Sequence, residues 1–186
     1  MSTAHGGLDA TFEQARQGDR QAFTDLVRAH ENMVFSLLWH MLGEAAVAEE
    51  IAQDVFLEMH KHLPGIESPE HLTRWLRMVA GRRGIDEIRR RRFRSDKPVE
   101  DCPEPRAETS HPDPFLAGRI RRLIERLPAR HRAIVVMRFQ EDLGPADIAS
   151  ALDIPVSTVK STLHRTLTML RTRLAQPVLA ARQGEP

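Results

Sequence analysis

The stretch Gly144-Pro-Ala-Asp-Ile-Ala-Ser-Ala-Leu-Asp-Ile-Pro-Val-Ser-Thr-Val-Lys-Ser-Thr-Leu-His-Arg165 decides the fold. Gly144 is an acceptable helix cap, and Pro145 fits the first helical position, where its missing N–H costs nothing. Ile148, Ala149 and Leu152 recur at helical spacing and predict an inward face, with Ala149 small enough for a close helix crossing. Asp153-Ile154-Pro155 is a short turn, after which Ser157 is the expected cap of a second helix. Along that helix Val159, Leu163, Leu167, Leu170 and Leu174 point inward. Ser157, Thr158, Lys160, Ser161, His164 and Arg165 stay outside, near its N-terminal half. The pattern predicts a helix-turn-helix, whose second helix offers its first residues to base edges in the major groove. Hydroxyls, Lys and Arg suit phosphates and base edges. A helical hairpin with a solvated basic face is the plainer alternative, and the neighbouring positive charge favours DNA over it.

Outward from this motif the chain reads as all-α. Tyrosine is absent, aromatic residues make up 5%, and period-3.6 patterns recur where alternating β patterns do not. Residues 8–17 predict a short helix closed by Gly18. Asp19 caps the next, whose apolar Phe23, Leu26, Val27, Val34, Leu37, Leu38 and Met41 share a face before Gly43 ends it. A third helix over about 44–63 carries Val47, Ile51, Val55, Met59 and Leu63 at spacings of four, and Pro64-Gly65 stops it. Ser68-Pro69-Glu70 reads as cap, first-turn proline and acidic first turn. The fourth helix carries Leu72, Trp75, Leu76, Val79, Ile85 and Ile88, and ends in Arg89-Arg-Arg-Arg92, Phe93 and Arg94. Its apolar register slips across Gly81 and Gly84, which predicts a bend or looser turn over 81–84.

Residues 95–114 hold Pro98, Pro103, Pro105, Pro112 and Pro114 and almost nothing apolar, so they read as a linker with a reach of up to about 65 Å. Four more helices are expected near 115–127, 129–140, 145–151 and 157–174. The expected architecture is therefore all-α: two small helical domains, 12–94 and 115–175, joined by a flexible linker, with tails at 1–11 and 176–186.

Composition narrows the function. The 186 residues are 41% hydrophobic and 28% charged, ordinary for a soluble chain. No apolar run is long enough for a transmembrane helix, and no signal peptide is visible, so a cytoplasmic location is expected. One cysteine, Cys102, excludes an internal disulfide and every multi-cysteine zinc pattern. The net charge of +1 hides a strong alternation. Residues 41–70 carry one basic and seven acidic side chains, and 71–94 carry nine basic and two acidic. The linker holds two basic and six acidic residues, and 115–175 holds eleven basic and five acidic. Two basic blocks separated by an acidic one predict two polyanion-binding modules.

The first half makes the reading more specific. Gln53-Asp-Val-Phe56 on an acidic helix, Trp75-Leu-Arg-Met-Val-Ala80 and Ile85-Asp-Glu-Ile-Arg-Arg90 resemble the core-binding and promoter-melting helices of bacterial sigma factors. From Leu127-Pro128 through Arg138-Phe139 to Val159-Lys-Ser161 and Leu163-His-Arg165, the second half resembles that family's other promoter-binding domain. With two domains and a short linker, residues 12–175 resemble an extracytoplasmic-function (ECF) sigma factor.

This resemblance implies several roles. The acidic helix would dock on the polymerase clamp through Glu50, Gln53 and Asp54, with Val55 and Phe56 packed inward. Arg74, Arg77, Arg82, Arg83, Arg89 and Arg90 would meet the minus-ten element, and loop 64–71 would capture a flipped base, whose unstacking costs a few kcal/mol. Ser157, Thr158, Lys160, Ser161, His164 and Arg165 would read the minus-thirty-five element. The acidic linker would thread near the active site of polymerase. Family sequences often carry Asn where Arg82 stands and Arg where Thr162 stands, so one DNA contact expected at 162 is missing. Asp86 is read as an intrahelical partner of Arg82, Arg89 or Arg90.

The implied partners are core RNA polymerase, promoter DNA and an anti-sigma factor, with no membrane insertion. No catalytic constellation or cofactor motif is seen, and the chain is not expected to be an enzyme. Glu58 and His62 share a helix face but lack a third metal ligand. Acidic neighbours argue against a reactive Cys102. Two rival readings stand beside the sigma factor: a helix-turn-helix regulator that never joins polymerase, and a helical adaptor whose basic faces bind acidic partners. The segments 53–56 and 75–90 count against the first, which needs neither, and a pull-down with core polymerase separates all three.

Overall fold

A computed structural model describes residues 3–94 and 114–175, all but the short connections helical. The helices are α1 (Thr3–Arg16), α2 (Arg20–Leu42), α3 (Ala45–His62), α4 (Pro69–Arg94), α5 (Pro114–Glu125), α6 (Ala129–Phe139), α7 (Pro145–Leu152) and α8 (Val156–Ala175), with a single 3-10 turn over Leu63–Gly65. The helix α1 starts before the expected position, so the described residues 3–11, read from sequence as a tail, belong to it. Linker residues 95–113, with Cys102, and the tail 176–186 lie outside the described residues.

Local chemistry sets the boundaries. Asp19 caps α2 by accepting from the Ala22 N–H at 2.8 Å. Gly43 closes α2 in the left-handed region at φ 74°, donating its N–H to the Trp39 carbonyl. Ser68 Oγ accepts from the His71 N–H at 3.1 Å and caps α4 as its sequence predicts. The expected cap at Ser157 is displaced. Helix α8 begins at Val156, and the Pro155 carbonyl takes the Thr158 and Val159 N–H groups, so Ser157 sits exposed in the first turn.

The first four helices pack around Phe12, Leu26, Leu37, Leu38, Met41, Met59, Leu72 and Leu76, all at most 1% exposed. His30 is buried between α2 and α4, its ring nitrogens against the Leu26 carbonyl and Thr73 Oγ1. In the second half Ile134, Met137, Ile148 and Val159 are fully buried. These two apolar groups form one continuous core. Helix α4 joins them, packing on α2 and α3 in the first half and on α6 and α7 in the second.

That position accounts for its slipping register, since a helix covered on two sides needs apolar residues on two sides. No looser turn forms at 81–84; α4 runs helical through both glycines. They are sites of close approach instead. A Cβ at Gly84 would lie 2.8 Å from Met41 Cε, and one at Gly81 would lie 2.5 Å from Met137 Cε. Other bonds also join the halves. Arg132, 7% exposed, donates from Nη1 to the Met41 carbonyl at 2.9 Å. The Arg121 guanidinium stands 5.9 Å from the centre of the Trp39 ring.

Candidate nucleic-acid interface

In α7 the Ile148 N–H reaches the Gly144 carbonyl, closing the first turn behind Pro145. The chain reverses at Asp153, whose φ of 53° is left-handed and whose N–H returns to the Ala149 carbonyl. Asp is among the few residues that adopt this conformation readily. Helix α8 then leaves with Val159, Leu163 and Leu170 buried. Ser157, Lys160, Ser161, His164 and Arg165 are exposed, and Thr158 is half-buried. All six lie in the first ten residues of α8, a helix without a carboxylate. Thr162 is only 9% exposed and Thr166 only 3%. Position 162 therefore faces the core.

The arginines of α4 divide into groups. Arg74, Arg77 and Arg82 lie toward the second half: Arg74 and Arg77 line a cleft with Leu143, Asp147 and Ala151, and Arg82 Nη2 is 3.6 Å from Asp153 Oδ2. Burial raises the Glu141 carboxyl above its ordinary pKa, against the lowering pull of the Arg77 charge. Arg83 is turned toward α3 instead, 2.6 Å from Glu58 and 3.4 Å from Asp54. Further along, Arg89 pairs with Asp86 at 3.7 Å, one of the three partners the sequence left open for Asp86. Arg90 pairs with Glu87 at 2.6 Å, and Arg82 takes its partner from α7's end rather than from Asp86. Buried Glu87 also holds Arg91, which reaches Glu44 as well. Most of these pairs are partly exposed, so each contributes little to stability and can be exchanged for a phosphate.

On α3 the residues Glu49, Glu50, Gln53 and Asp54 are exposed, while Val55 is buried and Phe56 packs against the core. Leu57, 63% exposed beside them, was missed by sequence reasoning. In the turn before α4, Ile66 is 2% exposed and anchors the segment, and Trp75 rests against His62 with ring centroids 5.5 Å apart. Glu58 is paired with Arg83, and the His62 ring lies against Trp75. Among the described residues no group of three or more His, Cys, Asp or Glu is placed to hold a metal ion, and no helix is long and apolar enough to cross a membrane.

Comparison with known proteins agrees with this arrangement. The family model for Sigma-70 region 2 matches residues 26–94, and that for Sigma-70 region 4 matches residues 117–170. The chain is 33% identical over 168 residues to the ECF RNA polymerase sigma factor SigL of Mycobacterium tuberculosis, covering 86% of this chain and 94% of that protein. It is 28% identical over 180 residues to the ECF sigma factor SigW of Bacillus subtilis, with 88% and 94% covered. Among solved structures, CnrH in complex with the cytosolic domain of CnrY superposes with a TM-score of 0.66 at 17% identity, over 90% of this chain and 97% of that one. Region 2 lies over the α2–α4 group and region 4 over the helix-turn-helix. The chain belongs to the ECF family of RNA polymerase sigma factors, which bind core polymerase, recognise promoter DNA and promote its opening.

Proposed function

We propose that three surfaces of this chain divide the work of a sigma factor. The exposed acidic side of α3, through Glu50, Gln53 and Asp54, docks on core polymerase. The α4 face bearing Arg74, Arg77 and Arg82 meets the minus-ten element, with Arg89 and Arg90 extending its positive charge. Arg83 links this face to Asp54 and Glu58, so it tunes the docking surface as much as the DNA surface. The outward side of α8, with Ser157, Thr158, Lys160, Ser161, His164 and Arg165, reads the minus-thirty-five duplex. The chain works by binding, in the cytoplasm, and an anti-sigma factor is its regulator. As domains, 12–94 and 115–175 carry these surfaces, and the acidic segment 95–114 tethers them.

The observation that carries the reading is the sidedness of α8. Its buried positions are Val159, Thr162, Leu163, Thr166 and Leu170, leaving the polar set on the other side, with no acidic residue on the helix to repel phosphate. The test uses reconstituted holoenzyme. Lys160→Ala with Arg165→Ala should lower the salt slope of binding to upstream duplex by about two, one for each phosphate left without its cation. Opening of a pre-melted template should change little. Gln53→Ala with Asp54→Arg should weaken core binding while the helical circular-dichroism signal persists. An unchanged salt slope, or parental affinity for core in the second variant, refutes the corresponding assignment.

A further inference from the structure

The last turns of α4 leave one side open to solvent. Arg82, Asp86, Arg89 and Phe93 recur at spacings of four, three and four, so they share that side, and all four are exposed. Phe93 is 88% exposed, more than any other large apolar side chain among the described residues. A lone exposed phenylalanine is ordinary on a protein surface, but its setting here is not. Residues 89–94 consist of this ring and five arginines. Buried Glu87 holds Arg90 at 2.6 Å and Arg91 at 2.9 Å, which orients two of those guanidinium groups. Asp86, the one carboxylate on the open side, is paired with Arg89 at 3.7 Å. An apolar tip within such a basic surface fits a polyanion that also offers apolar groups, and duplex DNA does so through its thymine methyls.

We propose that Phe93 makes a third promoter contact, to a thymine methyl in the duplex between the minus-ten and minus-thirty-five elements, with Arg89 and Arg90 on the flanking phosphates. Helix α4 has 26 residues and is about 39 Å long, close to one turn of B-DNA at roughly 34–36 Å. With Arg74 and Arg77 near its start on the minus-ten element, its far end stands several base pairs away. From that end the chain leads on to the helix-turn-helix half, so Phe93 lies on the upstream, paired side. The major groove admits a helix there, and an apolar side chain at its tip meets thymine methyls. Arg89 and Asp86 are 54% and 74% exposed, so their pair is worth little in water and gives way to a phosphate. Phosphate contacts alone carry no sequence preference; the ring supplies one. The inference rests on the assignment of α4 to the minus-ten element made above.

The test uses reconstituted holoenzyme and promoters selected by the parent chain from a randomised duplex pool. Each thymine within about ten base pairs upstream of the minus-ten element is replaced in turn by deoxyuridine, which lacks only the methyl group. One replacement should weaken binding by the parent about fourfold, the value of one methyl group taken out of water. Phe93→Ala should bind the unmodified promoter at least fourfold more weakly than the parent does, and should not distinguish thymine from deoxyuridine at that position. Phe93→Leu keeps an apolar tip and should retain part of the discrimination. Because the ring is exposed, Phe93→Ala should keep the parental Tm, and its affinity for core polymerase should stay within twofold.

Selected promoters without thymine in that stretch, or no position at which deoxyuridine weakens the parent, overturn the proposal. So does a deoxyuridine penalty that survives in Phe93→Ala. A loss of core affinity in Phe93→Ala as large as its loss on DNA places the ring on polymerase and also overturns the DNA contact. The assignment of α4 is read separately, from Arg74→Ala with Arg77→Ala in holoenzyme on a pre-melted promoter. Unchanged binding there overturns that assignment; weakened binding there, with no effect of deoxyuridine, overturns the Phe93 contact alone.

Discussion

Replacing Arg132 by Met removes one guanidinium and keeps most of the hydrophobic volume. In the parent, Nη1 of this side chain donates to the Met41 carbonyl at 2.9 Å. Met41 lies in the last turn of α2, where carbonyls lack intrahelical partners, so Arg132 supplies both a donor and a positive charge to a helix C-terminus. A hydrogen bond to a charged group contributes about 1.5–3 kcal/mol, and Arg132 is only 7% exposed, so water does little to replace it. A loss of about 2 kcal/mol is expected, close to a thirtyfold change in the unfolding equilibrium. For a chain of this size each kcal/mol moves Tm by roughly 2–4 °C, so the variant should melt about 4–8 °C below the parent. Thermal and urea unfolding followed by circular dichroism give the measurement. Arg132→Lys should recover part of the loss through its charge but not the forked geometry. A Tm within 1 °C of the parent for Arg132→Met, with an unchanged urea midpoint, would refute the coupling of the halves through this bond.

Glu141 predicts a pH effect of defined sign. Burial raises its folded-state pKa above the unfolded value, so the folded chain holds that proton more tightly, and stability falls as pH rises through the interval between the two. Glu141→Gln should therefore be the more stable form at pH 7 and lose its advantage below pH 4, as read by urea midpoints across that range. Two helical glycines should respond with opposite signs. Gly84→Val forces atoms against Met41 and Leu38 and should cost about 1–3 kcal/mol, whereas Gly118→Ala, with no atom near its new methyl, should gain about 0.5–1 kcal/mol. Equal melting temperatures for those two variants would overturn the assignment of Gly84 as a contact point.

Features that repeat along a helix were legible in the sequence. The alternation of Val159, Leu163 and Leu170 with Lys160, Ser161, His164 and Arg165 is a local pattern, and it gave both the inward and outward sides of α8. Caps are local too, which is why Asp19 and Ser68 could be read from their neighbours. The contact between the halves was not legible. Arg132 and Met41 are 91 residues apart, and an arginine on a helix has the same local signature whether it meets solvent or a distant carbonyl. Gly81 and Gly84 were read through helix propensity, yet tertiary approach decides their role. A usable sign was present: α4 spreads its apolar residues over more than one face, as a helix packed on both sides must. For the same reason the arginines of α4 read as one basic surface, although Arg83 turns to α3 and Arg82 to Asp153.

The shared core also has a consequence in time. The ribosome delivers α1 to α4 first, and the 58 residues from 95 to 152, which complete α6 and α7, follow at about 5–20 residues per second, a delay of roughly 3–12 s. For that interval the nascent first half exists without α6 and α7, and the groove at Gly81 faces solvent unfilled. Early folding must therefore stand on the first half's own core around Leu26, Leu37 and Leu72, and the later helices arrive as a lid on a finished base. A polypeptide whose synthesis stops after Arg94 would keep that groove open for its whole lifetime.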